Sequence, residues 1–315
     1  MSRWFRPAGS TARQGFDVAV TPGEKDWEHS GLYVATLRPG QSVEIDTSDC
    51  EYLVLPLSGS AEVIVDGETL PLGGRADVFA GPTDLAYVPR NSTLAVTSAG
   101  GARIAFPHAK AASDYPYHRI GVEQVETELR GAGVASRQVR NFGTPAVLEA
   151  DSIIACEVLT PAGNWSSYPP HKHDEHKPGK ESVLEEIYYF ELQLSDVAPE
   201  GVKGNDPIGY QRVYGTENRP IDVLAEVRDG DVVLVPHGWH GPAMAPPGYD
   251  MYYLNVMAGP GTERQWLITD DPNHGWVRDL WATQQIDPRL PFGATEPFGS
   301  AEPFDTAEPF GGEES

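Results

Sequence analysis

The stretch Gly230-Asp-Val-Val-Leu-Val-Pro-His-Gly-Trp-His240 decides how this chain folds. A short β-branched run bounded by Gly-Asp on one side and by proline on the other is too brief for a helix and reads as a strand that stops at a turn. The first half ends a strand in the same way, with Gly81-Pro-Thr-Asp-Leu-Ala-Tyr-Val-Pro-Arg90 also closing on Val-Pro. Ahead of it, Gly59-Ser-Ala-Glu-Val-Ile-Val-Asp-Gly-Glu-Thr-Leu70 carries an Asp-Gly pair between apolar runs, the mark of a hairpin. Further short runs, such as Tyr52-Leu-Val-Leu-Pro-Leu57 and Ile153-Ile-Ala-Cys-Glu-Val-Leu159, recur among 33 glycines and 28 prolines in 315 residues. Such spacing predicts an all-β chain with little helix. The echo between the halves predicts two tandem β-barrels.

We expect a first barrel with its connector over 1–142, a second over 143–290 and a tail over 291–315. The connector includes Val122-Glu-Gln-Val-Glu-Thr-Glu-Leu-Arg-Gly-Ala-Gly133, too interrupted by glycine for a long helix. From Pro291 the chain repeats every six residues, as Pro291-Phe-Gly-Ala-Thr-Glu, Pro297-Phe-Gly-Ser-Ala-Glu and Pro303-Phe-Asp-Thr-Ala-Glu. Proline at that period blocks regular helix and one aromatic per repeat buries no core, so an acidic, disordered tail is predicted.

Lys and Arg number 23 against 46 Asp and Glu, a formal charge of −23. A field of that sign repels nucleic acid and anionic membrane surfaces, which argues against both as partners. Only Cys50 and Cys156 are present, far apart in sequence, which fits reduced thiols rather than a disulfide framework. The start carries no apolar segment of signal length, and no run approaches the ~18 apolar residues of a membrane span. A cytoplasmic protein is the expectation.

The chemistry concentrates in His171-Lys-His173, in Glu186 just ahead of Ile187-Tyr-Tyr-Phe190, and in a second histidine cluster, His237-Gly-Trp-His240. Residues two apart on a strand point the same way, so His171 and His173 can aim both imidazoles at one point. A carboxylate from the next strand and a histidine from a later one complete a three-His, one-Glu shell that leaves room for water and substrate. Nitrogen and oxygen donors of this kind suit a divalent Zn, Mn, Fe, Co or Ni ion, and donor type alone does not choose among them. The first half has no His-x-His pair and follows its Val-Pro with Arg90, so the metal belongs to the second half. His29, His108, His118 and His274 have no ligand-like neighbours, and His176 reads as a surface residue of the segment between His173 and Glu186.

These motifs resemble the cupin superfamily, in which a His-x-His followed by Glu is joined by a second motif, Gly-x5-Pro-x-Gly, ending in His. Gly230, Pro236 and Gly238 match the second motif, with His240 one residue earlier than usual. Twelve residues separate His173 from Glu186 where three or four are usual. That insert, with Gly163-Asn-Trp-Ser-Ser-Tyr-Pro-Pro-His-Lys-His-Asp174, Leu184-Glu-Glu-Ile-Tyr-Tyr189, and Pro247-Gly-Tyr-Asp-Met-Tyr-Tyr-Leu-Asn-Val256, is similar to the 5-deoxy-glucuronate isomerase family of myo-inositol catabolism. The resemblance runs to about Phe292. It implies a bicupin of two jelly-roll barrels and a metal-dependent aldose-ketose isomerisation of 5-deoxy-D-glucuronate to 5-dehydro-2-deoxy-D-gluconate. The 4-deoxy-threo-hexosulose-uronate isomerases share the implied ligand pattern.

Cupin ligands precede the apolar strand directly, which selects Glu186 and places Glu185 on the opposite face as a solvated or interfacial carboxylate. His240 is preferred to His237 on the family position. A uronate needs a cation for its carboxylate; the expectation is Arg212, with Arg137 and Lys172 as alternatives. Tyr188, on the face of Glu186, and Tyr252 or Tyr253 offer phenols. Glu186, a metal-bound hydroxide, or a nearby Tyr or His remain open as the base. The rival readings are an iron-dependent cupin dioxygenase and a non-catalytic sugar-binding cupin. A small sugar acid is the expected partner, and pairing through sheet edges makes a homo-oligomer part of the expectation.

Overall fold

Every strand pairing in the computed structural model is antiparallel, and the α-helix Val277–Trp281 is the one such helix among the described residues. Residues 2–293 are described, apart from 197, 200 and 203–205, so the expected tail beyond Gly293 lies outside the described residues. The all-β expectation holds.

The second barrel is made of two facing sheets. One has seven strands in the order Phe5–Arg6, Val232–Val235, Glu185–Leu194, Tyr249–Ala258, Ile154–Thr160, Arg137–Gly143 and Glu126–Arg130. The other has six and carries Gly209–Tyr214, Trp239–Met244 and His171–Lys172 side by side. Strand Glu185–Leu194 lies inside the first sheet, bonded to Val232–Val235 on one edge and to Tyr249–Ala258 on the other. Its even residues Tyr188 and Phe190 enter the barrel core, while Ile187 and Tyr189 pack on the first barrel with Leu32, Leu53 and Leu55. A strand buried on both faces needs apolar residues at consecutive positions, which is why Ile187-Tyr-Tyr-Phe190 shows no polar alternation.

The first barrel is organised by the 16-residue strand Cys50–Val65, which pairs with Ala102–Lys110 and Leu85–Val88 at one end and with Glu68–Arg75 and Thr93–Thr97 at the other. Its interior is filled. His108 is wholly buried and stacks 4.6 Å from the Tyr52 ring and 4.5 Å from the Tyr33 ring.

The expected connector is itself part of the second barrel, since Glu126–Arg130 and Arg137–Gly143 pair with each other and then with Ile154–Thr160. The chain start crosses over as well, with Phe5 and Arg6 opposite Val233 and Val232. Sheet hydrogen bonding therefore divides the chain earlier than residue 142 and mixes its ends, because an open sheet edge is satisfied by whichever strand reaches it.

Two glutamates lock the barrels reciprocally. Glu185 accepts hydrogen bonds from the backbone N–H groups of Glu28, His29 and Ser30, at 3.0, 2.7 and 2.6 Å. Glu51 accepts from Asp151, Ser152 and Ile153, at 2.9, 2.7 and 2.8 Å. The solvated option for Glu185 is thus corrected: the carboxylate is buried and interfacial, because three converging N–H donors replace its water. The residue after Glu185 is Glu186, whereas the residue after Glu51 is Tyr52, which occupies the first barrel's interior against His108.

Candidate metal centre

His171 ends the Pro169-Pro170 approach and pairs across the sheet with His240, so two imidazoles from different strands meet directly. Their ring centroids are 4.4 Å apart, and that of His173 is 4.7 Å from His240. One ring nitrogen from each of the three lies within 4.8 Å of the others. Glu186 enters from the facing sheet, its Oε2 at 3.0 Å from Nε2 of both His173 and His240. All four side chains are buried.

The other face of each ring is anchored to backbone. Nδ1 of His173 lies 3.0 Å from the Leu184 carbonyl and Nδ1 of His240 lies 3.1 Å from that of Gly238, while His171 is held more loosely, at 3.5 Å from Pro169. A carbonyl can only accept, so each Nδ1 carries a hydrogen and leaves Nε2 facing inward, with a lone pair to offer once the ring is neutral. Nε2 of His240 is buried, and although Glu186 Oε2 lies 3.0 Å away, the angle between them makes no hydrogen bond. An orphaned lone pair among two more imidazoles and a carboxylate is what a divalent ion satisfies, so the residues fit a metal.

Electrostatics agree with that use. Burial, reinforced by the neighbouring His240 and His173, holds His171 well below its usual pKa and hence neutral. Burial opposes ionisation of Glu186, but His240 and His173 outweigh it and hold the carboxyl well below the usual range. Burial also opposes charge on His173, yet its bond to Glu186 prevails and raises it. Without an ion, the Glu186–His173 pair therefore retains a proton that metal must displace. Apparent metal affinity is expected to fall about tenfold per unit as pH drops below the His173 titration. Chelator competition between about pH 5 and about pH 8 measures it; an affinity independent of pH would show that His173 is no ligand.

Around this cluster the interior is polar. The Ser167 hydroxyl lies 3.1 Å from the Tyr188 phenol and 3.2 Å from that of Tyr253, and the Tyr188 ring stands 6.2 Å from His240. Burial, then the charge of Glu186, pushes Tyr188 well above its usual pKa, which keeps the phenol protonated. Ser167 was not singled out in the sequence; its backbone φ of 47° and its place beside Gly241 set it there. A Cβ on Gly241 would sit 1.8 Å from the Ser167 carbonyl, so only glycine lets the His240 strand press so close.

Other expected residues lie elsewhere. Arg212 is corrected: strand Gly209–Tyr214 alternates, Gln211 and Val213 face inward, and Arg212 points out to Asp222 and the carbonyls of Val213 and Val223. Lys172, between the two histidines, projects to the opposite side and is neutralised by Asp174, Glu175 and Glu181. His176 is exposed on the hairpin of Asp174–Lys177 and Glu181–Val183. His237 stands outside the histidine triad. Tyr252 turns to the barrel interface, where it bonds Glu157 at 2.7 Å.

Two tandem antiparallel barrels, one filled and one holding a buried His-rich cluster that could bind a metal, define a bicupin. The chain belongs to the KduI/IolB family, whose profile matches residues 4–277. It is 41% identical over 283 residues to the 5-deoxy-glucuronate isomerase of Geobacillus thermodenitrificans, covering 89% of this chain and 97% of that one. With the 5-deoxy-glucuronate isomerase of Bacillus subtilis it shares 36% over 263 residues, 82% of this chain and 91% of the relative. Among solved structures, an IolB-like protein from Salmonella typhimurium superposes with a TM-score of 0.77 at 33% identity, over 87% of this chain and 98% of that one. A variant of Bacillus subtilis oxalate decarboxylase superposes with a TM-score of 0.56 at 12% identity, over 86% and 80%, a likeness of fold alone. No helix among the described residues is long and apolar enough to cross a membrane.

Proposed function

We propose that this protein is a 5-deoxy-glucuronate isomerase, a metal-dependent aldose-ketose isomerase that turns 5-deoxy-D-glucuronate into 5-dehydro-2-deoxy-D-gluconate. The observation that carries the reading is the convergence of His171, His173, His240 and Glu186 on one buried point. Glu186 is the fourth ligand in this reading, and a divalent ion of the Zn, Mn, Fe, Co or Ni group fits the donors.

Moving a carbonyl from C1 to C2 requires a proton to leave C2, another to reach C1, and the enediolate charge between them to be held. A divalent ion, when bound, supplies Lewis-acid stabilisation of that charge. The chain supplies the rest. Three imidazoles with fixed Nδ1–H groups hold their lone pairs in place without reorganisation. Glu186, ionised at neutral pH, is a proton acceptor beside the reacting carbons. Tyr188 and Tyr253, kept protonated and joined through Ser167, are donors to developing oxyanions. Burial of the four ligand side chains keeps bulk water from competing.

The two cysteines, buried and free, fit a reducing cytoplasm. Exposed Val134, Trp165, Trp276 and Leu280 offer apolar surface to a homo-oligomer.

The test pairs metal analysis with NMR of 5-deoxy-glucuronate turnover. We expect stoichiometric metal, ketose product without oxygen uptake, and loss of at least about a hundredfold in rate after chelation, reversed by one divalent ion. Full activity in stripped protein would overturn the catalytic metal. Oxygen consumption would favour the dioxygenase.

A further inference from the structure

Two buried polar side chains in the second barrel are short of partners: Arg137 has no carboxylate to pair with, and Gln211 has no hydrogen bond. Arg137 opens the strand Arg137–Gly143 and is 7% exposed. Its guanidinium bonds only to carbonyls through Nη1, at 3.1 Å to Ala135 and 3.5 Å to Tyr168. No carboxylate of the described residues lies within ion-pair range of it. The other two buried arginines among the described residues, Arg75 and Arg140, both have Glu157 within ion-pair range. Burial pulls Arg137 down to about 10, with repulsion from Arg130 and Arg278 added and the charges of Tyr253 and Glu128 opposing it, which still leaves it charged at neutral pH. Gln211, on the facing sheet, is wholly buried with neither amide atom bonded.

In a chain with twice as many acids as bases, a buried cation without a carboxylate is an expensive exception. Its setting points inward. The Tyr168 carbonyl it touches adjoins Ser167, which bridges Tyr188 and Tyr253, and Tyr188 stands against His240. Gln211 is two residues from Val213, the cross-strand partner of His240. Arg137 also stacks 5.4 Å from Trp281, whose buried Nε1–H likewise lacks an acceptor. A six-carbon uronate has its reacting carbons at one end and its carboxylate at the other, so its site needs a cation set apart from the metal.

We propose that Arg137 binds the carboxylate of the sugar acid and so fixes which end meets the His171–His173–His240–Glu186 centre, with Gln211 bonding a hydroxyl in between. This rests on the isomerase reading for the identity of the ligand. Arg137 takes the place expected of Arg212, whose donors are spent outside the barrel.

The experiment compares calorimetric binding of D-glucuronate and D-glucuronamide to the metal-loaded full chain, in the wild type, Arg137→Met and Arg137→Lys. The wild type is expected to prefer the acid by at least about tenfold, Arg137→Met to bind acid and amide alike, and Arg137→Lys to recover part of the preference. Metal content should stay unchanged, which a general loosening of the site would not allow. A wild type indifferent to acid against amide overturns the proposal whatever the variants do, and so does an acid preference that survives in Arg137→Met. If the preference vanishes in Arg137→Met but the wild type does not turn over 5-deoxy-glucuronate, the clamp stands and the isomerase reading falls. If turnover is seen and the preference persists, the reverse holds.

Discussion

Glu186→Gln is expected to lower isomerase activity by about a thousandfold and metal affinity by at least about a hundredfold. The carboxylate is 1% exposed, and its Oε2 is the one oxygen that meets Nε2 of both His173 and His240 at 3.0 Å. Glutamine keeps the volume and removes the charge, so the loss reports electrostatics and not packing. Its amide nitrogen would also bring a donor to imidazoles that must stay unprotonated to bind an ion. The fold should persist, because Ile187, Tyr189 and the sheet bonds of Glu185–Leu194 do not depend on the carboxylate. Metal analysis, NMR turnover and melting with and without chelator make the check together. The wild type should melt higher with metal than without, and the variant should show little difference. Retained metal with near-normal turnover would remove Glu186 from both of its roles.

The sequence carried the histidine cluster further than it carried the rest of the candidate site. His171 and His173 are legible because a two-residue spacing on a strand has one geometric meaning, and alternation on Ile187-Tyr-Tyr-Phe190 separates Glu186 from Glu185. The same rule, applied to Gly209-Tyr-Gln-Arg-Val-Tyr214, would have turned Arg212 outward, since Val213 is the aliphatic residue that marks the buried face. Ser167 was out of reach. Its importance comes from two phenols on strands 21 and 86 positions away, a distance no local pattern records. The reciprocal Glu51 and Glu185 caps and the pairing of Phe5–Arg6 with Val232–Val233 are long-range in the same way. Local periodicity thus predicts which face a residue occupies, and tertiary closure decides what waits on that face.

Glu157→Met should be the most destabilising single change between the barrels, by about 3 to 5 kcal/mol. Glu157 is 1% exposed and joins Arg75 of the first barrel by two hydrogen bonds, Tyr252 at 2.7 Å and Arg140 at 3.5 Å. Arg140 reaches back to the Val78 carbonyl at 2.7 Å, and its Nε and Nη2 are buried without partners. One carboxylate therefore serves two buried cations, and removing it strands both. Burial acts to raise the Glu157 pKa, but Arg75 and Arg140 outweigh it and hold the carboxyl below its usual range. A depressed folded value means the contribution is complete above the unfolded value of about 4.3 and is lost as pH falls through the folded one. Chemical denaturation of the wild type should thus show this term at neutral pH and lose it only in strong acid, while Glu157→Met lacks it throughout. The double variant Arg75→Met with Glu157→Met separates charge from packing: it should be more stable than Glu157→Met alone, because only Arg140 is then left unpaired. A double variant no better than the single one would mean that packing at this seam, and not the stranded charge, sets the loss.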